Sequence, residues 1–173
     1  MRLQLIPTII SLLAVSACGS STSPSSSAAP PSVTRSVTAS PAPTESVEKS
    51  PTAGSASEAL KAQIPSITKL VTITEDNDPN DKIGRPNGYT AAVVLYDSRT
   101  KCSDGLGATC GATIEQWPTP ADAKARMDYI QGILKDSPML GSEYDYLRGG
   151  LLLRVDGALK PSAAAAYKTA FDK

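Results

Sequence analysis

Four oxygen-bearing side chains lie close together in one short polar segment near the middle of the chain. They are Asp76, Asp78, Asn80 and Asp81, and carboxylate and amide oxygens are the ligands that a hard cation such as Ca²⁺ prefers. The segment departs from the EF-hand pattern, because Asp81 stands at the sixth position, where glycine is needed, and Asn87 stands where the bidentate glutamate belongs. Asp and Asn side chains also bond nearby backbone amides in turns. The pattern therefore favours an Asx-rich turn, with a weak calcium site as the alternative.

The same segment continues into a loop whose residue types are common at binding surfaces. Arg85, Asn87 and Tyr89 supply a guanidinium, an amide and an aromatic ring on a stretch shaped by Gly and Pro. Together with the four residues above, they form a candidate binding loop. In the alternative interpretation, which we favour for Arg85, its guanidinium pairs with a nearby aspartate and holds the loop in place.

The sequence contains no established catalytic arrangement. It has no histidine, which removes Ser-His, Cys-His and zinc-histidine sites. Ser66 with Lys69 and Ser98 with Lys101 have the spacing of a Ser-Lys pair, but no further hydrolase motif accompanies them. We therefore expect a protein that is not an enzyme, and we predict no catalytic residue, metal or cofactor.

Two of the three cysteines are expected to form a disulfide. Cys102 and Cys110 enclose a short loop with two glycines, and an exported domain is expected to be oxidised. Closing so small a loop stabilises a fold by about 2.5 kcal/mol in the entropy model. A metal pair or a redox pair is the alternative, but the chain has neither a C-x-x-C spacing nor a histidine.

The N-terminal segment has the form of a bacterial lipoprotein signal. Residues 1–17 contain one positive charge near their start, followed by an apolar run too short to span a bilayer. The run ends in the letters VSAC at Cys18, which resembles a lipobox. The resemblance implies cleavage before Cys18 and lipid attachment to its thiol, with two or three acyl chains for stable anchoring to the outer face of the cell membrane. An ordinary secretory signal, with Cys18 incidental, is the alternative.

Composition divides the remaining chain into a tether and one domain. Residues 18–57 are rich in Ser, Pro, Ala and Thr, and they bury too little apolar surface to offset backbone entropy. We predict a disordered tether there, an interpretation that O-linked sugars would not change. Residues 58–173 are enough for a single core. The chain has 17 basic and 17 acidic residues, and this balance argues against binding to nucleic acid or to anionic lipid.

Five segments have the composition of strands, at residues 70–74, 89–96, 112–117, 144–147 and 151–155. The last two flank Arg148 and two glycines, which predicts a hairpin. Trp117 is expected to cover the sheet rather than to serve as a ligand platform. Tyr144 and Tyr146 share one strand face, which is either core or an exposed aromatic strip.

Three segments have helical patterns. The first covers residues 58–64, the second begins with Thr119 as a cap and Pro120 in the first turn, and the third starts near Pro161. The second has an apolar stripe that includes Ala123 and Ile130. The order of elements predicts an α+β fold, with an antiparallel sheet of about five strands covered on one face by helices. A parallel βαβ sheet is the alternative.

Several stretches of the domain look like a group of small secreted lipoproteins of Gram-positive, especially actinobacterial, bacteria. They are EDNDPND at residues 75–81, GRPNGYT at 84–90, CG at 110–111, AKAR at 123–126, YI at 129–130 and LLRV at 152–155. The resemblance covers nearly the whole predicted domain. It implies a shared extracytoplasmic domain and supplies no catalytic residue.

These observations favour a non-enzymatic binding module at the cell envelope. The expected partners are the membrane, through the lipid at Cys18, and an envelope protein or cell-wall component. An immunity or exclusion lipoprotein that protects the envelope against phage or toxin is the alternative, and a small hydrolase is a minor one. A hydrolase would need a concave pocket with convergent carboxylates and a perturbed pKa.

Overall fold

The structure is a computed structural model that describes residues 50–102 and 105–173. The predicted signal segment, Cys18 and most of the predicted tether lie outside the described residues. Within the two described ranges, none of the helices combines the length and the apolar character needed to cross a membrane.

The described part of the chain contains three helices and five strands in the predicted order. They are α1 (Ala53–Gln63), β1 (Ile67–Ile73), β2 (Ala91–Asp97), β3 (Gly111–Gln116), α2 (Pro120–Asp136), β4 (Glu143–Arg148), β5 (Leu151–Asp156) and α3 (Pro161–Phe171). Short 3₁₀ turns precede β3 and follow α2, at Ala108–Cys110 and Pro138–Leu140.

The strands form one open antiparallel sheet in the order β1-β2-β3-β5-β4. This confirms the predicted α+β fold and excludes the parallel alternative. The hairpin of β4 and β5 also forms as predicted, around Gly149 at φ +56°. Glycine adopts this left-handed conformation without the steric cost that a side chain brings.

The helices cover both faces of the sheet, so the prediction of one covered face is wrong. Val93 and Leu95 of β2 belong to a core with α1 and α3, whereas Ala92 and Val94 belong to a second core with α2. The physical reason is visible in β2 itself, because four consecutive buried apolar residues put apolar side chains on both faces. Each face therefore needs its own cover.

Helix α1 begins at Ala53, five residues earlier than predicted. The side chain of Thr52 accepts a hydrogen bond from the Ser55 amide, and Ser55 returns one to the Thr52 amide, which makes a capping box. Ala53, Ala56 and Ser57 are buried. Part of the Ala/Ser-rich segment assigned to the tether is therefore the first half of a packed helix.

The core beneath α1 and α3 is closed by large side chains. Leu60, Tyr167 and Phe171 are at most 1 % exposed, and Tyr144 and Tyr146 pack against them. The two strand tyrosines therefore belong to the core side.

The starts of α2 and α3 agree with prediction: Thr119 caps α2, and a proline opens each helix.

Asp97, at the end of β2, is the buried carboxylate of this face. It accepts hydrogen bonds from the Tyr167 hydroxyl (2.9 Å), the Ser66 hydroxyl (2.9 Å) and Arg99 Nε (2.8 Å). Burial acts to raise the pKa of Asp97, but the bonds from Arg99, Tyr167 and Ser66 lower it to about 2. The hydroxyl of Ser66 is thus engaged with Asp97, while Lys69 Nζ lies 5.1 Å from the ring centre of Tyr96. This geometry does not form the pair of Ser66 and Lys69 that the spacing allowed.

The predicted disulfide between Cys102 and Cys110 is present. Cys110 is fully buried in the second core, and Cys102 is exposed. The bridge therefore fastens the segment after β2 to the start of β3.

Candidate functional site

The loop between β1 and β2 is organised around Asp78. Its carboxylate accepts hydrogen bonds from the backbone amides of Asn80 (2.9 Å), Lys82 (2.6 Å) and Ile83 (2.9 Å), and from the hydroxyl of Tyr89. Burial acts to raise the pKa of Asp78, but these bonds hold it below its ordinary value. The carboxylate therefore acts as an internal anchor for the loop, as the turn interpretation predicted.

Tyr89 is a buried member of the second core. It is 2 % exposed, and its ring meets that of Trp117 edge-on, with centroids 5.7 Å apart. Its hydroxyl also accepts a hydrogen bond from Asn80. Burial, followed by the hydrogen bond to Asp78, raises the pKa of Tyr89. The candidate binding loop therefore does not present Tyr89 to solvent.

The other members of the candidate binding loop lie at its surface. Arg85 Nη2 pairs with the Asp81 carboxylate at 3.0 Å, and both side chains are largely exposed, so Arg85 has the favoured structural contact. Asp76 and Asn87 are exposed. Among the described residues, no three acidic or cysteine side chains come together in a way that could hold a metal ion. The side chains of the weak calcium candidate do not converge on one point, because Asp78 bonds backbone amides of the loop and Asp81 bonds Arg85.

A network of buried and half-buried charges lies on the α2 side of the sheet. Its centre is Glu115 of β3, which is 1 % exposed. The carboxylate of Glu115 accepts hydrogen bonds from Trp117 Nε1 (3.1 Å), Arg126 Nε (3.3 Å) and Arg154 Nη1 (2.9 Å). Arg154 also makes a two-pronged contact with Glu143, at 2.8 Å for each bond. We call these five residues the Glu115 cluster.

Charges within the Glu115 cluster compensate each other. Burial acts to lower the pKa of Arg154, but its bonds with Glu143 and the charge of Glu115 raise it above its ordinary value. Each of the four ions therefore has at least one opposite charge within hydrogen-bonding distance.

Asp145 lies beside this cluster without the same compensation. Its Oδ2 accepts a hydrogen bond from Gln131 Nε2 at 2.7 Å, whereas its buried Oδ1 has no hydrogen-bond partner among the described residues. Burial raises the pKa of Asp145 to about 6, and the negative charge of Glu143 acts in the same direction. The ionised form of Asp145 is therefore disfavoured in the folded protein.

A groove of about 660 Å³ lies along α2. Its lining residues come from the β1–β2 loop, from the sheet side of the Glu115 cluster and from α2: Asn80, Lys82, Asn87, Trp117, Glu143, Arg154, Asp122, Ala125, Arg126, Tyr129, Ile130, Ile133 and Leu134. We call it the α2 groove. A hydrogen bond from Arg126 Nη2 to Asn80 Oδ1 (3.3 Å) joins the helix to the loop.

The α2 groove has a polar end and an apolar end. Asp122 and Arg126 lie on the N-terminal half of α2, and Tyr129, Ile133 and Leu134 follow toward its C-terminus. From residue 122 to residue 134 the helix rises about 18 Å. Tyr129 and Ile133 are 60 % and 38 % exposed, so apolar surface is open to a ligand at one end.

The carboxylates that line the α2 groove already have partners. Glu143 is held by Arg154, and Asp122 accepts a hydrogen bond from the Thr119 hydroxyl at 2.6 Å. The carboxylate with the raised pKa, Asp145, does not line the groove. The arrangement combines fixed donors with open apolar surface, which is the chemistry of a binding site.

The predicted binding loop contributes to this groove only in part. Asn80 and Asn87 line it, whereas Asp76, Asp81 and Arg85 do not. Sequence reasoning missed Glu115, Arg126 and Arg154. One signal was present, because Glu115 and Arg154 each interrupt a buried apolar strand.

Comparisons with family models, with curated proteins and with solved structures found no match to this chain.

Proposed function

We propose that this protein is a lipid-anchored, non-enzymatic binding module at the outer face of the cell membrane, and that the α2 groove is its binding site. The observation that carries the proposal is the groove itself. Its volume of about 660 Å³ is within the range of about 300–1,000 Å³ that is usual for ligand sites.

The two walls of the groove support a binding role because internal contacts fix them before a ligand arrives. Asp78 holds the loop wall through three backbone amides. Arg126 is held between Glu115 and Asn80 on the helix wall. A site that is already ordered loses less conformational entropy on binding. Glu143 is committed to Arg154, which favours binding over acid–base chemistry.

Photo-crosslinking in intact cells tests the groove. A photoreactive phenylalanine analogue replaces Tyr129 in the groove, and the same analogue replaces the exposed Ala165 on α3 as the matched control. We expect an envelope protein or cell-wall fragment to be captured from position 129 and not from position 165. Identical capture from both positions, or none from either, would contradict the proposed site.

The anchor needs a separate test because Cys18 lies outside the described residues. In cells fed labelled palmitate, the parent chain should take up label and sediment with membranes. Cys18→Ser should lose both properties, and Cys102→Ser serves as a cysteine control that keeps the label. Equal labelling of parent and Cys18→Ser would contradict lipid attachment at this position.

A further inference from the structure

The distribution of chemical groups in the α2 groove indicates a class of ligand. We infer that the groove binds a short extended segment of a partner protein that carries a carboxylate near one end and an aliphatic side chain three residues away. This inference rests on the proposed function, because it names the ligand of the same groove.

The polar end of the groove offers more hydrogen-bond donors than acceptors. Lys82 is half-buried in the groove wall and takes part in none of the ion pairs found among the described residues. Arg126 uses Nε and Nη2 for Glu115 and Asn80, so the N–H groups of Nη1 remain for a ligand. Asp122 is the carboxylate at this end, and one of its oxygens is occupied by Thr119. A ligand that brings acceptor oxygens, such as a carboxylate, fits this end best.

The opposite end offers aliphatic and aromatic surface. Ile130, Ile133 and Leu134 are successive members of one helix flank, and Tyr129 stands beside them at the rim. Aliphatic side chains of a ligand would remove this surface from water, at about 25 cal/mol per Å². A sugar chain would leave most of its hydroxyl groups without partners against Ile and Leu. The lining therefore favours a peptide over a glycan.

The spacing along α2 sets the spacing within the ligand. From Arg126 to Ile133 the helix rises about 10.5 Å. An extended peptide advances about 3.3 Å per residue, so three residues separate its acidic group from its aliphatic group. Alternate side chains of an extended chain point in opposite directions. At an odd separation the carboxylate can therefore reach Lys82 on the loop wall while the aliphatic side chain faces Ile133 on the helix wall.

The probes are acetylated and amidated hexapeptides in an alanine background. One has glutamate at its second position and leucine at its fifth, and another has the reverse order, because the groove does not fix the direction of the chain. Matched peptides replace glutamate by glutamine or leucine by serine. A tetramer of N-acetylglucosamine is the glycan arm. Binding to the full-length protein in detergent is followed by calorimetry and by the fluorescence of Trp117, which is the single tryptophan and lines the groove.

We expect at least one order of the Glu/Leu peptide to bind more tightly than both of its matched peptides. Lys82→Ala should weaken binding of the glutamate peptide about two- to fivefold, which is the range of an exposed ion pair. It should leave the affinity for the glutamine peptide unchanged. Ile133→Ser should weaken both peptides about tenfold. Lys135→Ala and Met139→Ser are the matched controls, because both residues are exposed and neither lines the groove.

Several results would overturn the inference. These are binding of the glycan without the peptides, equal binding of the glutamate and glutamine peptides, and no binding of any hexapeptide. If crosslinks from position 129 persist in cells while the hexapeptides fail, the peptide class is wrong and the groove remains a binding site. If both experiments fail, the proposed function fails with the inference.

Discussion

The two faces of the sheet shift the pKa of an aspartate in opposite directions. On the face covered by α1 and α3, Arg99, Tyr167 and Ser66 donate hydrogen bonds to Asp97, and these bonds outweigh burial and lower its pKa to about 2. On the face covered by α2, burial raises the pKa of Asp145 to about 6, and one of its oxygens has no hydrogen-bond partner among the described residues. The same side chain is thus stabilised as an anion on one face and disfavoured as an anion on the other.

The difference shows how each face is held together. The α1/α3 face is closed by apolar packing, with its carboxylate at the end of a strand. The α2 face combines a smaller apolar core with the Glu115 cluster and leaves the α2 groove open. Charges within a sheet face occupy positions that apolar side chains would otherwise fill, and Arg126, Glu143 and Arg154 of the Glu115 cluster line the α2 groove.

The largest effect is expected from Glu115→Ala, which breaks the compensation on the α2 face. Removing this carboxylate leaves Arg126 and Arg154 buried with fewer opposite charges, and breaking a buried pair in this way costs about 3–5 kcal/mol. Urea unfolding measures the free energy of unfolding. Glu58→Ala, on the exposed side of α1, is the control and should change stability by less than about 0.5 kcal/mol. A loss below about 1 kcal/mol for Glu115→Ala would show that the cluster does not hold this face together.

The pH dependence of the free energy of unfolding of Asp145→Asn tests the difference between the two aspartates. Because the folded pKa of Asp145 is raised from 3.8 to about 6, its contribution to stability is fully present below pH 3.8 and is lost as the pH rises through 6. The asparagine variant has no such loss. Relative to the parent, it should gain about 2–3 kcal/mol in the free energy of unfolding between pH 4 and pH 7.5.

The control for this experiment is Asp76→Asn in the exposed part of the β1–β2 loop. Because the Asp76 side chain is exposed, this substitution should change the free energy of unfolding by less than about 0.5 kcal/mol. A constant difference between Asp145→Asn and the parent from pH 4 to pH 7.5 would mean that Asp145 ionises without penalty. The two faces would then not differ as described.

Tyr167→Phe tests the α1/α3 face with a smaller change. The substitution removes the hydroxyl that donates to Asp97 at 2.9 Å and keeps the buried ring. A hydrogen bond to a charged group contributes about 1.5–3 kcal/mol, and the two remaining partners of Asp97 limit the expected loss to about 1.5 kcal/mol. Differential scanning calorimetry should show a lower melting temperature.

The matched control is Tyr144→Phe, whose hydroxyl makes only a long contact of 3.5 Å with the Leu159 carbonyl. Its melting temperature should change less. Trp117 fluorescence, which reports on the other face, should be the same in both variants. A change in that fluorescence with Tyr167→Phe would show that the two faces are coupled.

No effect is expected from calcium, the smallest change in the series. Asp78 bonds three backbone amides and Asp81 bonds Arg85, so these two carboxylates of the β1–β2 loop are engaged with different partners. The melting temperature of the full-length protein should be the same in millimolar Ca²⁺ and in chelator. If calcium raises the melting temperature of the parent but not that of Asp78→Asn, the cation site would be supported after all.

Local patterns were sufficient where neighbouring residues decide the outcome. Thr119 and Pro120 marked the start of α2, and the glycines after Arg148 marked the hairpin. The start of α1 was missed because Ala53, Ala56 and Ser57 are small residues. The composition of this first half of the helix is therefore the same as that of the predicted tether. Only burial against the sheet distinguishes the two.

The sequence by itself determined the kind and order of the elements, the β4–β5 hairpin and the disulfide, because each depends on residues close together along the chain. It also contains the lipobox-like segment that carries the anchor proposal. The tertiary structure alone decided which face each helix covers, the contacts of Glu115 with Arg126 and Arg154, and the groove above them. Arg154 lies 39 residues from Glu115, and no local periodicity records a contact over that distance. Such groups meet only when the sheet and α2 bring them together.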